Sequence, residues 1–541
     1  MTRPRRYAVN AISNWIRLIV LAIVGAITIP YLMHQLGDYR FGVYAIVGSA
    51  MGFISLLDFG LQTGITRFVA QDEASGDYGR LLSTTSTGFA VKGTIGLVGF
   101  MVTVASIPFV RYFFNIPWDL FWGLAALSAF MGLSLLLRSL AITPGAILIG
   151  ASRFELRTAC DIVGNLARLG LLVLFFSLLG PSLGRMGLAF AMGAAVFFLL
   201  TYTMARYWIV RRPIFRFSSM SKSAFKRIAS FGLLNGVAVL GGLLLNQGLI
   251  FTSGKLLGTT AATYLAAPIL VAFQLQGLAA GFASPLIPLA GRDAVQGQGR
   301  NLGPWSVRIS RLTCLLCICF VLPLCILAEP LLRHWLGPDK AWTWTIFVVV
   351  VATTTMESIQ VANYYLVVGG GKIGAWAASQ LVAATVGLGA AVACHLLFGW
   401  GLLGIVSVVG AAVVARNLIA LPIISCRQFG VPLGKYLWNT YAIPAVAMAV
   451  PAGATVAMLL LAYPTSVLML VLELLASMAL LAAFGWLFGL TKDDRRLVLS
   501  ILPRRPAGSP TAPSAAEPKD DAAAGLKTEG NTGNPSAGQA Q

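Results

Sequence analysis

About fourteen runs of roughly twenty apolar residues follow one another along the chain, separated by short polar turns. They lie near 11–33, 41–63, 84–109, 117–137, 159–180, 184–205, 229–252, 262–285, 309–328, 342–365, 375–397, 400–423, 441–462 and 465–489. A hydrocarbon core of about 30 Å needs runs of this length in helical form. The runs are long and do not alternate apolar with polar, as the strands of a membrane barrel would. In lipid each backbone group has to be satisfied within its own segment, which only helices and closed barrels achieve. The pattern predicts an all-α polytopic membrane protein with about 14 transmembrane helices.

Composition agrees: 57% of the residues are hydrophobic, 11% are charged and the mean hydropathy is +0.81. A soluble protein of this length would need a polar shell that such a composition cannot make. The N-terminal Arg3, Arg5 and Arg6 lead straight into the first run, with no small-residue cleavage site, so a retained helix is expected rather than a signal peptide. With that end cytoplasmic, inner loops and the N-terminal arm hold about 22 Lys and Arg, and outer loops about 6. The segment Arg206–Arg227 alone contributes Arg206, Arg211, Arg212, Arg216, Lys222, Lys226 and Arg227. Both termini are therefore expected in the cytoplasm. The net charge of +20 is mostly this bias, with attraction to anionic membrane lipids as its secondary effect. The loops are too short to fold a nucleic-acid-binding domain. Seven cysteines lie in or beside the runs; Cys314-x-x-Cys317 has metal-like spacing, but no His or second pair accompanies it, so small buried helix residues are expected.

A faint repeat appears at an offset of 221 residues: Asn14 matches Asn235, Leu36-Gly37 matches Leu257-Gly258, and Gly76 matches Gly297. Both copies begin on the same side, which predicts two parallel six-helix lobes, as in many transporters. The organisation that follows is an N-lobe over 1–205, a basic linker over 206–228, a C-lobe over 229–423, a linker with two additional spans over 424–490, and a tail over 491–541. That tail is rich in Pro, Ala, Gly, Ser and charge and is expected to be disordered.

Four cations lie inside the apolar runs. At 1.5 Å per residue, Arg17 is roughly 10 Å in along span 1, Lys92 about 12 Å along span 3, Arg168 about 14 Å along span 5, and Arg416 about 11 Å from the inner end of span 12. A charge near the bilayer centre costs about 2.5–3.5 kcal/mol even on lenient scales. Four of one sign predict an anion-attracting cavity shared between the lobes. Arg17, Lys92 and Arg416 could instead snorkel to the headgroups, whereas Arg168 is too deep for that. Asp58, Asp161 and Glu357 are the acids at comparable depth. They serve as ion-pair partners, with Arg17–Asp58 the expected pair, or as sites for a coupling H⁺ or Na⁺, with Glu357 preferred because it lies deepest. Glu473 lies outside both lobes and is assigned no role. Pro30, Pro285, Pro288 and Gly241-Gly242 are candidate hinges, and Gly369-Gly370-Gly371-Lys372 reads as a flexible turn or an anion nest.

No P-loop, zinc-protease motif or nucleophile elbow is present, and no D-x-D pair stands on a soluble loop. Transport is the leading class by elimination, and the cations point to an anionic cargo.

The first eighty residues carry a recognisable pattern. Asn10-x-x-Ser13-Asn14 opens span 1, Leu36-Gly37-x-x-x-Phe41-Gly42-x-Tyr44 joins spans 1 and 2, and Leu57-Asp58-Phe59-Gly60-Leu61 is followed by Thr66-Arg67. This resembles the polysaccharide biosynthesis family, the Wzx-type oligosaccharide flippases of the multidrug/oligosaccharidyl-lipid/polysaccharide exporter superfamily. The resemblance implies two six-helix lobes around a central cavity that opens alternately to each side of a bacterial inner membrane. It implies a lipid-linked oligosaccharide on undecaprenyl pyrophosphate as cargo, flipped to the periplasmic leaflet for lipopolysaccharide or exopolysaccharide synthesis, with polymerase and export proteins as partners. Arg168, Arg416, Lys92 and Arg17 would then meet the pyrophosphate. The extra hairpin departs from the twelve-span pattern and resembles the fourteen-span lipid II flippases, whose extra helices contribute a lipid groove. Lipid II transport, drug/cation antiport, and glycan polymerisation or ligation are the alternatives; the last two fit less well with a basic cavity and with the lack of a sizeable outer loop.

Overall fold

The described part of each apolar run falls on helix in the computed structural model, which describes residues 3–54, 61–151, 153–283, 302–369, 374–492 and 494–495. In chain order the helices are α1 (Arg3–Ile54), α2 (Leu61–Ser75), α3 (Tyr78–Ala105), α4 (Ile107–Phe113), α5 (Phe121–Gly150), α6 (Phe154–Leu179), α7 (Leu183–Thr203), α8 (Lys222–Leu257) and α9 (Thr259–Ala283). They continue as α10 (Leu302–Ile326), α11 (Ala328–Trp335), α12 (Trp344–Ile359), α13 (Val361–Gly369), α14 (Gly374–Phe398), α15 (Leu402–Ala415), α16 (Leu421–Phe429), α17 (Leu433–Leu437), α18 (Ile443–Leu461) and α19 (Val467–Phe484). Twelve helical segments among the described residues are long and apolar enough to cross a membrane. One of them, Ile16–Ile54, is two expected runs joined at Gly37, and α8 supplies the run near 229–252. The protein is a multi-pass membrane protein. Met1–Thr491 forms one compact unit; the tail expected to be disordered falls almost wholly outside the described residues.

The helices are apolar on their outer faces as well as in the core, unlike those of a soluble bundle, and polar side chains are interspersed among the buried ones. On α19 the buried stripe is Leu470, Glu473, Ser477 and Leu481, while Leu468, Leu472 and Leu475 are exposed. On α1, Ile16, Ile19, Ile23 and Ile27 form an exposed stripe at helical spacing. Lipid tails accept such residues as readily as a protein core does, so small and polar side chains add to the apolar packing where helices meet. Exposed Tyr112, Trp118, Trp122, Trp342 and Trp400 sit at one end of the bundle, and Tyr207, Trp208 and Trp438 at the other, as in the aromatic belts of membrane proteins. Below, the end that carries Arg206–Arg227 is the near end and the opposite one the far end.

The 221-residue offset recurs in the helix boundaries. Ala105 and Ile326 close α3 and α10, and Ile107 and Ala328 open α4 and α11, each pair 221 residues apart. Gly37 (φ 73°, ψ 164°) and Gly258 (φ 93°, ψ 167°) share one left-handed conformation that suits glycine alone. The chain reverses at both, so these two far-end turns are equivalent. The remaining matched pairs, Asn14/Asn235 and Gly76/Gly297, involve side chains or residues outside those described.

Three expectations change. α1 runs through Pro30 and breaks instead at Gly37. Gly241 is a packing contact: a Cβ there would lie 2.8 Å from Gln380 Cγ, so α8 lies hard against α14. The segment read as a linker is shorter and fastened down. A π-helical turn over Met204–Val210 prolongs α7, and the remainder lies on α3. There Ser86 Oγ accepts from the Arg216 amide at 3.0 Å, Thr87 Oγ1 accepts from the Ser221 amide at 3.0 Å, and Tyr78 donates to the Pro213 carbonyl at 2.7 Å. Pro285, Pro288 and most of the Gly369–Lys372 turn lie outside the described residues.

Candidate functional site

The polar residues of α6 fall at helical spacing: Arg157, Asp161, Asn165 and Arg168 occupy one face, which continues into buried Leu172 and Phe176. That face meets α1, α5 and α7. Arg168 can sit at the α6–α7 crossing because residue 193 is glycine, where a Cβ would come within 2.6 Å of Arg168 Cβ. Its guanidinium lies 4.7 Å from the centre of the Phe190 ring. Arg17 Nη1 of α1 donates to Asp161 Oδ2 at 3.3 Å, and Asn165 Nδ2 donates to Asp161 Oδ1 at 3.1 Å. The result is a cavity of ≈ 470 Å³ whose charged wall residues are Arg17, Arg138, Arg168 and Asp161. Three guanidiniums face one carboxylate, a net of two positive charges. Arg157 lies just behind, with Arg138 and Arg157 over the same Phe197 ring at 5.7 and 5.4 Å.

The structure thus brings Arg17, Arg168 and Asp161 together. It pairs Arg17 with Asp161; Asp58, the expected partner, lies outside the described residues. It also adds Arg138, one residue beyond the apolar run expected to close at 137. In the structure α5 continues to Gly150, and Arg138 follows Met131 and Ser134 on the cavity face. Lys92 is buried in α3, only 2% exposed, but is not on this wall; its carbonyl accepts from Ser139 Oγ at 2.7 Å.

Arg416 belongs to a second cavity, so a single cavity shared by all four cations is not what the described residues show. It opens a π-helical turn, Arg416–Ala420, that interrupts the helix between α15 and α16 and turns both Arg416 and Asn417 inward. Arg416 Nη1 lies 3.6 Å from Glu357 Oε1, Nη2 donates to Gln380 Oε1 at 3.0 Å, and Nε to Ser379 Oγ at 3.4 Å. Gln380 Nε2 donates to Glu357 Oε1 at 2.8 Å and Gln276 Nε2 to Oε2 at 3.4 Å. The cavity, ≈ 260 Å³, is completed by Tyr364, Tyr365, Trp376 and Asn417. Behind it, Gln360 Nε2 donates to the Asn417 carbonyl at 3.0 Å and to Tyr441 Oη at 2.5 Å, and Asn363 Nδ2 to Tyr436 Oη at 2.6 Å. A continuous buried chain therefore ties the second cavity to the additional helices.

At the far end the two repeats touch. Lys340 Nζ pairs with Asp38 Oδ1 at 3.1 Å, and Thr263 Oγ1 donates to the Asp38 carbonyl at 2.6 Å. Trp335 Nε1 donates to the Ala26 carbonyl at 2.7 Å. At Gly42 a Cβ would fall 2.0 Å from the Thr259 carbonyl oxygen, so only glycine permits this approach.

A family model described as "Polysaccharide biosynthesis protein" matches residues 8–292, more than half of the chain. No curated protein matches the sequence. Among solved structures, the lipid II flippase MurJ in an inward closed conformation aligns with a TM-score of 0.63 at 11% identity, covering 91% of this chain and 100% of that one. The inward-facing conformation of a multidrug resistance MATE family transporter of the MOP superfamily aligns with a TM-score of 0.62 at 13% identity, covering 79% and 99%. An outward-facing MATE structure aligns less well, with a TM-score of 0.56 at 15% identity, covering 80% and 95%. At these identities the likeness fixes the fold.

Proposed function

The chain belongs to the polysaccharide biosynthesis protein family, and we propose that it moves an undecaprenyl-pyrophosphate-linked oligosaccharide from the cytoplasmic to the periplasmic leaflet of a bacterial inner membrane. Its fold is that of the membrane transporters and flippases of the MOP superfamily. The observation that carries the reading is the first cavity, where Arg17, Arg138 and Arg168 outnumber Asp161 three to one. A pyrophosphate is a compact anion, and planar guanidiniums meet its oxygens in pairs. A cavity of that sign repels a cationic drug, which argues against cation antiport.

The transport cycle proposed is alternating access with both termini cytoplasmic, so that the near end faces the cytoplasm. The Asp38–Lys340 pair and the Gly42–Thr259 contact then close the periplasmic side. Cargo enters from the near end, the lipid head reaches the arginines, and the far-end contacts part as the repeats rock. Arg416 is not offered as a pyrophosphate ligand, because Glu357 balances its charge.

Reconstitution in liposomes tests this, with a fluorescent polyprenyl-pyrophosphate glycan and its accessibility to an external reagent as readout. Arg138→Ala and Arg168→Ala are each expected to slow translocation at least ten-fold while the protein remains folded. Unimpaired translocation in both variants would sink the assignment. Lipid II bears the same pyrophosphate, so a parallel assay with that lipid decides between the two cargoes.

A further inference from the structure

The second cavity carries chemistry that pyrophosphate binding leaves unused. Arg416 is 4% exposed and Asn417 is fully buried, yet Asn417 Oδ1 has no hydrogen-bond partner and Arg416 Nη1 has only the ion-pair contact with Glu357 Oε1 at 3.6 Å. One is a donor and the other an acceptor, on adjacent residues of the same wall. A buried acceptor left unpaired is costly, and a guanidinium nitrogen beyond hydrogen-bond distance of its counter-charge keeps donor capacity, so both atoms can serve a ligand. The cavity's charges cancel, Arg416 against Glu357, so neither a strong anion nor a cation is favoured. Its aromatic rim is Tyr364, Tyr365 and Trp376, with Tyr364 and Trp376 ring centres 5.9 Å apart.

We propose that this cavity is a saccharide subsite that takes one neutral sugar ring of the cargo, stacked on the aromatic rim. A sugar hydroxyl both accepts and donates: it accepts from Arg416 Nη1 and donates to Asn417 Oδ1. The C–H face of the ring covers the aromatic surface, and Gln276 and Gln380 flank it. A volume of ≈ 260 Å³ suits a single ring rather than a whole repeat unit. The proposal rests on the reading of the cargo as a lipid-linked glycan, and it separates head recognition in the first cavity from sugar recognition in the second.

The test uses full-length protein in nanodiscs and two probes. A panel of methyl glycosides (gluco, galacto, manno and N-acetylglucosamine) is screened by saturation-transfer difference NMR. At least one is expected to take up saturation, with the signal falling at least ten-fold in Trp376→Leu and in Asn417→Leu, and surviving in Trp376→Phe. A second measurement does not depend on those deletions. The fluorine resonance of 5-fluoro-Trp376, assigned through Trp376→Phe, should shift on glycoside addition. If no glycoside saturates and that resonance stays still, the subsite is overturned; an undiminished signal in folded Trp376→Leu and Asn417→Leu overturns it as well. Geranylgeranyl pyrophosphate, which bears no sugar, reports on the first cavity. Its binding should fall in Arg168→Ala and hold in Trp376→Leu, while glycoside binding does the reverse. Loss of the pyrophosphate result alone would count against the flippase reading and leave the subsite standing.

Discussion

Asp161→Asn should make the empty protein less stable and its grip on a pyrophosphate tighter. The carboxylate is the one negative charge on the wall of the first cavity and lies 3.3 Å from Arg17 Nη1. At an effective dielectric of about 20, the gross attraction at that separation is about 5 kcal/mol. Arg17 keeps 34% of its side chain exposed, so desolvation and solvent screening leave about 1–2 kcal/mol of net stability. An anionic head that recruits Arg17 has to displace Asp161 and sit near its charge. Asparagine removes both penalties and keeps an oxygen for Asn165 Nδ2, which now donates at 3.1 Å. The same 1–2 kcal/mol therefore appears as a gain of about 5–30-fold in affinity. Calorimetry of geranylgeranyl pyrophosphate binding to full-length protein in nanodiscs reads the gain, and thermal unfolding reads the loss. The gain should shrink as salt rises. Weaker pyrophosphate binding in the folded variant would refute the competition between Asp161 and cargo, and an equal gain for geranylgeraniol would refute its electrostatic origin.

Glu357→Gln should cost about 3 kcal/mol in unfolding, because it leaves the buried guanidinium of Arg416 without its counter-charge; adding Arg416→Met should recover part of that loss. Tyr441→Phe removes the hydroxyl that accepts from Gln360 Nε2 and should cost about 1–2 kcal/mol, with faster amide exchange in α18 as a local sign. Asp38→Cys combined with Lys340→Cys, bridged by a short bis-maleimide, should arrest translocation, while either single variant treated alike continues; continued transport when bridged would show that the far-end pair does not part.

Much of this was legible because a charge inside an apolar run is conspicuous wherever it falls. Arg17, Arg168, Arg416, Asp161 and Glu357 stand out for that reason alone. Their grouping was not legible, since it depends on which helix faces which, and no local pattern says that α1 presents Arg17 to α6. Arg138 was missed through a boundary, and the signal that would have caught it is the apolar stretch Leu140–Ile149 just beyond. The inward turn at Arg416 comes from a π-helical interruption with no sequence signature. Gln360, Asn363, Gln380 and Tyr436 were passed over because neutral amides and hydroxyls in a span attract less notice than charges. Gln360, Asn363 and Tyr436 hydrogen bond to one another and join the second cavity to α17, while Gln380 bonds Glu357 and Arg416.

The repeat gives these observations their direction. Backbone features recur at the 221-residue offset, down to the φ and ψ of Gly37 and Gly258, but the charges do not. The positions 221 residues beyond Arg138, Asp161 and Arg168 are Ile359, Val382 and Gly389, and those 221 before Glu357 and Arg416 are Leu136 and Ala195. A fold duplicated for rocking needs matching halves, because the turns and close contacts have to work as pairs. The proposed cargo, with a charged head and a neutral glycan, has no such symmetry. Recognition of it calls for one half that is strongly basic and another that balances its charges and offers rings and amides. On the proposed function, the division between the two cavities matches that asymmetry, while the duplicated backbone preserves the pairing that alternating access would require.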